Sequence, residues 1–346
     1  MIENRIERFI IGGCSEEVKK YKESFRQTSI LECDKNQWTY IVEIMIITIK
    51  SLVPDESNYG SIIDYERFNE ELRLWYYYRH GENNSLLGSL YNINKAYWEY
   101  EDDSIFSRIV PIVFANEDWN VAKREILKTI LYTTGNISSI FEGIALGKLL
   151  FIIIENINID HAELVSLIKD EIVGFSQRDF IRSYIGYFRN SPMSYKGNYT
   201  IDFERKRIEL LNILNGIDVG FKYNTLKSSF SILAGKEDCV STSFFLGGLR
   251  SLKEDINYET IKDEEFIRNL ASFLVKLRKG RISIESLRID KYILPDVFKY
   301  KEGDIFFHTL LKKCQVIKRI DESDRIIIFL KTKSGIYRFM RNIKRE

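Results

Sequence analysis

The sequence predicts a mainly α-helical protein that ends in a small antiparallel β extension. Three observations carry that expectation: two long apolar runs broken by single charges, apolar residues returning at helical spacing between capping residues, and strand-like alternation after about Lys279. The first run, 40–53, has Glu43 and Lys50 as its charges, and the second, 140–154, has Glu142 and Lys148. Both fall short of the ~20 apolar residues that a bilayer crossing needs, so they read as helices buried on most faces. In 121–132, Val121, Ala122, Ile126, Ile130 and Leu131 recur on one face while Lys123, Arg124, Glu125 and Lys128 take the other. Asn120 is the expected N-cap there and Gly135 the stop. Asp160 is placed to cap a helix over 161–173, and Ser241 opens a further apolar helix that runs to Leu252. Between Gly186 and Thr200, Asn190-Ser191-Pro192, Gly197 and Asn198 mark a loop. Its aromatics, Tyr184, Tyr187, Phe188, Tyr195 and Tyr199, either pack together or stack a planar base such as adenine. Beyond Lys279, segments 314–320, 325–331 and 336–343 alternate as strands, separated by the turns Asp321-Glu322-Ser323-Asp324 and Lys333-Ser334-Gly335. The expected organisation is a helical domain over 1–280 and a basic β-rich extension over 281–346.

Composition bounds the class of protein. With 346 residues, 45% apolar and 29% charged, the chain can bury a large core and does not read as disordered. Four cysteines, at 14, 33, 239 and 314, show no paired spacing, and no secretory leader is apparent. A reducing, cytoplasmic setting and no membrane association are therefore expected. The formal net charge of +1 hides an asymmetry, because residues 281–346 carry +7 and residues 1–280 carry −6. The basic end reads first as a solvated sheet face studded with Lys and Arg against edge pairing. A second reading is a grip on the phosphates of nucleic acid or on an acidic protein partner.

Most familiar catalytic patterns are missing from the sequence. His80, His161 and His308 lack metal-ligand spacing, and no phosphate-binding glycine loop, dinucleotide fingerprint or Gly-x-Ser-x-Gly elbow occurs. Glu101-Asp102-Asp103 reads as a solvent-exposed acidic run. Two distant segments remain. Cys33-Asp34-Lys35-Asn36-Gln37-Trp38 and Asp238-Cys239-Val240-Ser241 resemble, respectively, the Thr-Asp-Asp-Thr-Gln-Met and Gly-Gly-Asp-Thr-Asp-Thr signatures of the ADP-ribosylglycohydrolases. Weaker landmarks fall between them in the family's order. Asn69 to Tyr76 with Arg79-His80-Gly81 is similar to a helix ending in Leu-x-x-Trp-Tyr and a glycine. Ser107-Arg108-Ile109-Val110-Pro111 is similar to Met-Arg-x-x-Pro, with Asp103-Ser104 where Asn-Gly usually opens that segment, and Thr133-Thr134-Gly135 falls where the family has Thr-His. The nearest counterpart of the family's N-terminal Gly-Asp-Ala-Leu-Gly loop is Gly12-Gly13-Cys14-Ser15.

The resemblance implies an all-helical ADP-ribosylglycohydrolase-like fold and, ancestrally, a pair of Mg²⁺ ions that orient a ribose and activate water, since hard dications take carboxylate and hydroxyl oxygens. Position by position, Asp34 and Asp238 keep an acid and Ser241 keeps a hydroxyl. Cys33 replaces a ligand Thr, while Lys35 and Val240 replace ligand carboxylates. An ammonium beside the site repels a dication. Lys35 can instead occupy the cation position and pair with Asp34 and Asp238. Cys33, Asp34, Asp238 and either Ser241 or Cys239 form a second option, one softer ion such as Zn²⁺. The expected function is binding without hydrolysis, with Asp34, Lys35, Asp238 and Ser241 as ligand contacts. The ligand would be ADP-ribose, an ADP-ribosylated protein, a related nucleotide, or a protein partner such as a toxin or another defence component. The competing expectation keeps hydrolysis, with Asp34 and Asp238 positioning water, and a third makes 281–346 a nucleic-acid module.

Overall fold

A computed structural model describes residues 2–24, 35–56, 59–91, 96–217, 220, 222–236, 243–254 and 257–343. Among them the chain forms, in order, α1 (Ile2–Ser24), α2 (Tyr40–Ser51), a short hairpin of β1 (Leu52–Pro54) and β2 (Ser61–Ile63), α3 (Tyr65–Trp75), α4 (Asn84–Tyr91), α5 (Ile105–Phe114), α6 (Trp119–Thr133) and α7 (Ile137–Glu155). Then follow α8 (His161–Val173), α9 (Gln177–Tyr184), α10 (Tyr199–Leu214), α11 (Asn224–Leu233), α12 (Phe244–Lys253) and α13 (Glu264–Arg278). The last segment is a four-stranded antiparallel meander of β3 (Ile305–His308), β4 (Lys312–Asp321), β5 (Arg325–Thr332) and β6 (Gly335–Asn342), in that spatial order.

The two apolar runs become α2 and α7, the middle of the helical part. α7 is contacted by α1, α5, α6, α8, α10 and α11, and α2 lies against α3, α5 and α13. α7 spans 19 residues, longer than the apolar run because its ends add Ile137 to Ser139 and Glu155. By length and composition alone it could cross a membrane, but most of its surface is covered by these helices. The lone charges inside both runs are internal ties. Glu43 accepts from the Trp75 indole at 2.8 Å and the His80 amide at 3.2 Å, and lies 2.6 Å from His80 Nδ1. Lys50 pairs with the buried Glu71 at 2.5 Å. Lys148 reaches Glu171 at 3.7 Å and lies over the Trp119 ring.

Several expectations need correction. α6 is capped by Asp118, whose carboxylate accepts from the Asn120 amide, so Asn120 is already helical. The apolar helix expected from Ser241 begins at Phe244 with Ser243 as its N-cap, while Ser241 lies outside the described residues. Gly12-Gly13-Cys14-Ser15 is no loop but the middle of α1, where small residues let α1 and α12 approach closely. Strand β3 precedes the three expected strands, its four residues being too few for alternation to announce them. Asp160 does cap α8, accepting from the Ala162 and Glu163 amides. The aromatics after α9 pack on one another and on Trp98, Phe180 and Phe203 in edge and tilted contacts.

The sheet buries Cys314, Val316, Ile328, Leu330 and Phe339 against Leu74 of α3 and the 297–298 turn. Tyr78 meets Tyr337 and Phe339 edge-on, and the Met340 amide donates to the Tyr77 carbonyl at 2.8 Å. Arg341 makes a two-pronged pair with Asp296, both bonds 2.9 Å, above the Phe298 ring. The extension is thereby anchored to the end of α3.

Candidate functional site

A cleft of about 530 Å³ opens where several helices begin. Its walls come from Tyr40 at the start of α2, Asn83 and Asn84 at α4, residues 100–103 and Phe106 at α5, Ser138, Ser139 and Glu142 in α7, and Tyr223 to Thr225 at α11. Glu82, Lys206 of α10 and Lys222 complete it. Helix starts carry free amides and a positive partial charge, so a convergence of them favours anionic or hydrogen-bond-accepting groups. Two of the acids in the wall, Asp102 and Glu142, are committed to such amides. Asp102 Oδ1 accepts from the Ser104 amide at 2.9 Å and its hydroxyl at 2.6 Å, and the Asn83 side-chain Oδ1 accepts from the Ser85 and Leu86 amides. Glu142 accepts from the Leu226 amide at 3.2 Å, tying α7 to the first turn of α11.

Asp102 is buried, contrary to the exposed acidic run expected from sequence, because Arg108, in the first turn of α5, pairs with it at 2.7 Å. Both side chains are withdrawn from solvent, and Arg108 also donates to the Thr129 carbonyl at 2.5 Å and the Thr133 hydroxyl at 2.8 Å. Burial lowers the Arg108 pKa while Asp102 opposes that shift. Asp103, by contrast, is exposed. The Tyr40 hydroxyl donates to its two oxygens at 2.7 and 2.9 Å, and Asn83 Nδ2 donates at 2.6 Å. Burial first and Asp103 second raise the Tyr40 pKa, so the phenol stays protonated. Burial pushes Glu142 up to about 7, against the lowering by the Leu226 amide.

The predicted site residues divide sharply. Cys33, Asp34, Asp238, Cys239, Val240 and Ser241 lie outside the described residues. Lys35 is exposed, Asn36 adopts a left-handed conformation at φ 59°, and Gln37 and Trp38 are buried. Thr39 caps α2 and donates to Glu17 Oε2, while Glu17 Oε1 accepts from the Phe244 amide at 2.9 Å and from Lys20 at 3.0 Å. The helices that follow the two signature-like segments thus start on one carboxylate, 227 positions after Glu17 in the second case. The weaker landmarks join the same cluster. The Tyr40 amide donates to the His80 carbonyl at 3.0 Å, and the Tyr40 ring fills the space beside Gly81. The Thr134 hydroxyl donates to the Tyr97 and Tyr100 carbonyls at 3.0 and 2.8 Å, fixing the turn that carries Tyr100 into the cleft.

Glu17, Tyr40, Asn83 and Glu142 were not singled out as site residues from sequence. A signal existed for Glu142 alone, an acid inside an otherwise apolar run. Among the described residues no three His, Cys, Asp or Glu side chains are grouped as a metal site, and Cys14 and Cys314 are buried thiols in separate cores. No family model matches the chain, and no curated protein matches it.

Proposed function

We propose that this chain is an ADP-ribosylglycohydrolase-like protein that binds ADP-ribose or an ADP-ribosylated target in this cleft and has lost hydrolysis. The observation that carries the reading is the set of hydrogen bonds, described above, that join these segments in pairs and through chain neighbours. Segments resembling the family in sequence, far apart along the chain, have their described parts or immediate flanks tied together through Glu17, Tyr40, Asp103, Arg108 and Thr134. The cleft's volume falls in the range typical of small-ligand sites, roughly 300–1,000 Å³. Its groups also suit the ligand. Asp103 and Glu142 can accept from ribose hydroxyls, Tyr100 and Phe106 offer flat apolar surface, and Lys206 and Lys222, both paired with Glu209, are the cations in the wall that can meet a pyrophosphate.

The residues present do not fit the ancestral Mg²⁺ pair. A thiol, an ammonium and an isopropyl group, those of Cys33, Lys35 and Val240, stand at positions that the resemblance assigns to oxygen ligands.

Calorimetry with ADP-ribose tests the binding reading. Saturable heat is expected, and Lys222→Glu, which turns an attractive charge repulsive, should weaken affinity tenfold or more, equivalent to ~1.4 kcal/mol. Absence of heat at millimolar ligand removes the reading. Loss of hydrolysis is tested by incubation with ADP-ribosylated arginine, serine and nucleic-acid substrates under Mg²⁺, Mn²⁺ or Zn²⁺. Release that Asp34→Ala and Asp238→Ala abolish would show a working enzyme instead.

A further inference from the structure

The register of the C-terminal meander sorts its residues onto two faces, and the outer face has an unusual composition. Across the strands run Phe307 opposite Lys313, then Ile305, Gln315, Lys331 and Ile336, then Lys318, Phe329 and Arg338, and last Ile320, Ile327 and Met340. These rows contain no acid. The acids of the meander sit at its ends, in Asp304 and the Asp321 to Asp324 turn. Among the described residues, Lys313, Lys318 and Lys331 form no ion pair, whereas Arg319, Arg325 and Arg341 are each held by a carboxylate. Aromatics lie beside the cations: Phe307, 52% exposed, faces Lys313, and Phe329 is flanked by Lys318 and Arg338.

Protection of sheet edges does not account for these lysines. The edges are β3 and β6, and Lys313, Lys318 and Lys331 lie on the inner strands β4 and β5. A second copy of the same face is a poor occupant, since stacking it on itself would oppose cations in every central row. We infer that the outer face of the β3 to β6 sheet binds single-stranded nucleic acid, with Phe307 and Phe329 stacking bases and Lys313, Lys318 and Lys331 contacting phosphates. A single strand fits better than a duplex, because its bases are free to stack on aromatics. The β4 bulge at Ile317 leaves that apolar side chain exposed next to Lys318, extending the surface.

Fluorescence anisotropy of labelled single-stranded DNA and RNA oligonucleotides, titrated with full-length protein in a salt series, tests the inference. Three engaged cations predict that affinity falls about 18-fold between about 50 and about 200 mM salt, and Lys318→Glu with Lys331→Glu should cut that dependence to about threefold or less. Phe307→Ala, at an exposed position that tolerates truncation without unfolding, should weaken binding severalfold and leave the salt dependence unchanged. Weaker binding of a duplex of equal length supports the inference, and the DNA and RNA arms identify which strand is preferred. It is overturned by absence of binding at low salt, by equal or tighter duplex binding, by affinity unaffected in the double Lys variant with native melting, or by self-association that the same substitutions abolish.

Discussion

Glu142 is the residue in the cleft whose ionisation matters most near neutral pH. Burial raises its pKa to about 7, with Glu101 adding to the shift and the Leu226 and Thr225 amides and Lys227 opposing it. The folded state therefore holds this proton more tightly than the unfolded chain, where the carboxyl titrates near 4.5. Its stabilising contribution is complete below pH 4.5 and is lost as pH rises through about 7. Glu142→Gln should remove that loss, raising stability at pH 8 relative to wild type by on the order of 1–2 kcal/mol once the screening of a solvent-open cleft is counted, with little difference at pH 5. Thermal melts of both proteins across that range check it, and parallel profiles would be the contrary result. The same proton bears on the proposed ligand: ionised Glu142 repels a pyrophosphate, so ADP-ribose affinity should decline above pH 7 in wild type and not in the variant. Such buried acids leave a mark in sequence. Glu43, Lys50, Glu142 and Lys148 each break an apolar run, and each proves to be a tie between elements. Asp102 leaves none, because its neighbours Glu101 and Asp103 are exposed and only Arg108, six positions on in the first turn of α5, draws it inside.

At the level of elements, the cleft depends on how α12 sits against α1, because Glu17 on α1 takes the first amide of α12 and the cap hydroxyl of α2. Glycine permits that approach. A Cβ on Gly247 would lie 2.6 Å from the Glu16 Cβ and 2.8 Å from the Gly12 carbonyl oxygen, and the second of these is backbone that cannot swing away. Gly247→Ala should therefore force the helices apart and cost about 1–3 kcal/mol, as overpacking of a close interface does. It should also weaken the Glu17 bonds, so ligand affinity would drop together with the midpoint of denaturant unfolding. An unchanged midpoint would mean that α12 shifts freely. Elements with strong internal pattern were legible in advance: α2, α6, α7 and α8 and the three long strands follow from apolar period, caps and turns. α1 was not, because its mean hydropathy is modest and two central glycines disguise a buried face as a loop. β1, β2 and β3 hold three or four residues each, too short for alternation to register.

On the scale of the whole molecule, two hydrophobic cores meet along α3, whose Leu74 belongs to the sheet's core while Leu72 and Trp75 belong to that of the helices. His308 stands near this junction. It is 2% exposed, its Nδ1 accepts from the Leu310 amide at 3.2 Å, and it borders a cavity with Glu70, Arg73 and Leu74 of α3. Burial lowers its pKa to about 4, with the Lys50 ammonium adding to the shift, and accepting through Nδ1 itself requires the neutral ring. Because the folded pKa lies below the unfolded value of 6.5, the contribution of neutral His308 is complete above 6.5 and lost as pH falls through about 4. The sheet should accordingly loosen from the helices in mild acid, before the helical core does. Hydrogen exchange at pH 4.5 is expected to show protection lost first in β3 to β6, with α5 and α7 still protected. His308→Gln keeps an acceptor without a titrating charge and should recover on the order of 2 kcal/mol at that pH while changing little at pH 8. Equal acid sensitivity in the variant would locate the weakness elsewhere, with the Asp296 to Arg341 pair the next group to test. That pair lowers the Asp296 pKa against the effect of burial, so it too weakens only when its carboxylate is protonated. Loss of the pair begins only as pH falls below the unfolded carboxyl value of 3.8, whereas loss through His308 begins near 6.5, and the onset of exchange in the sheet separates the two.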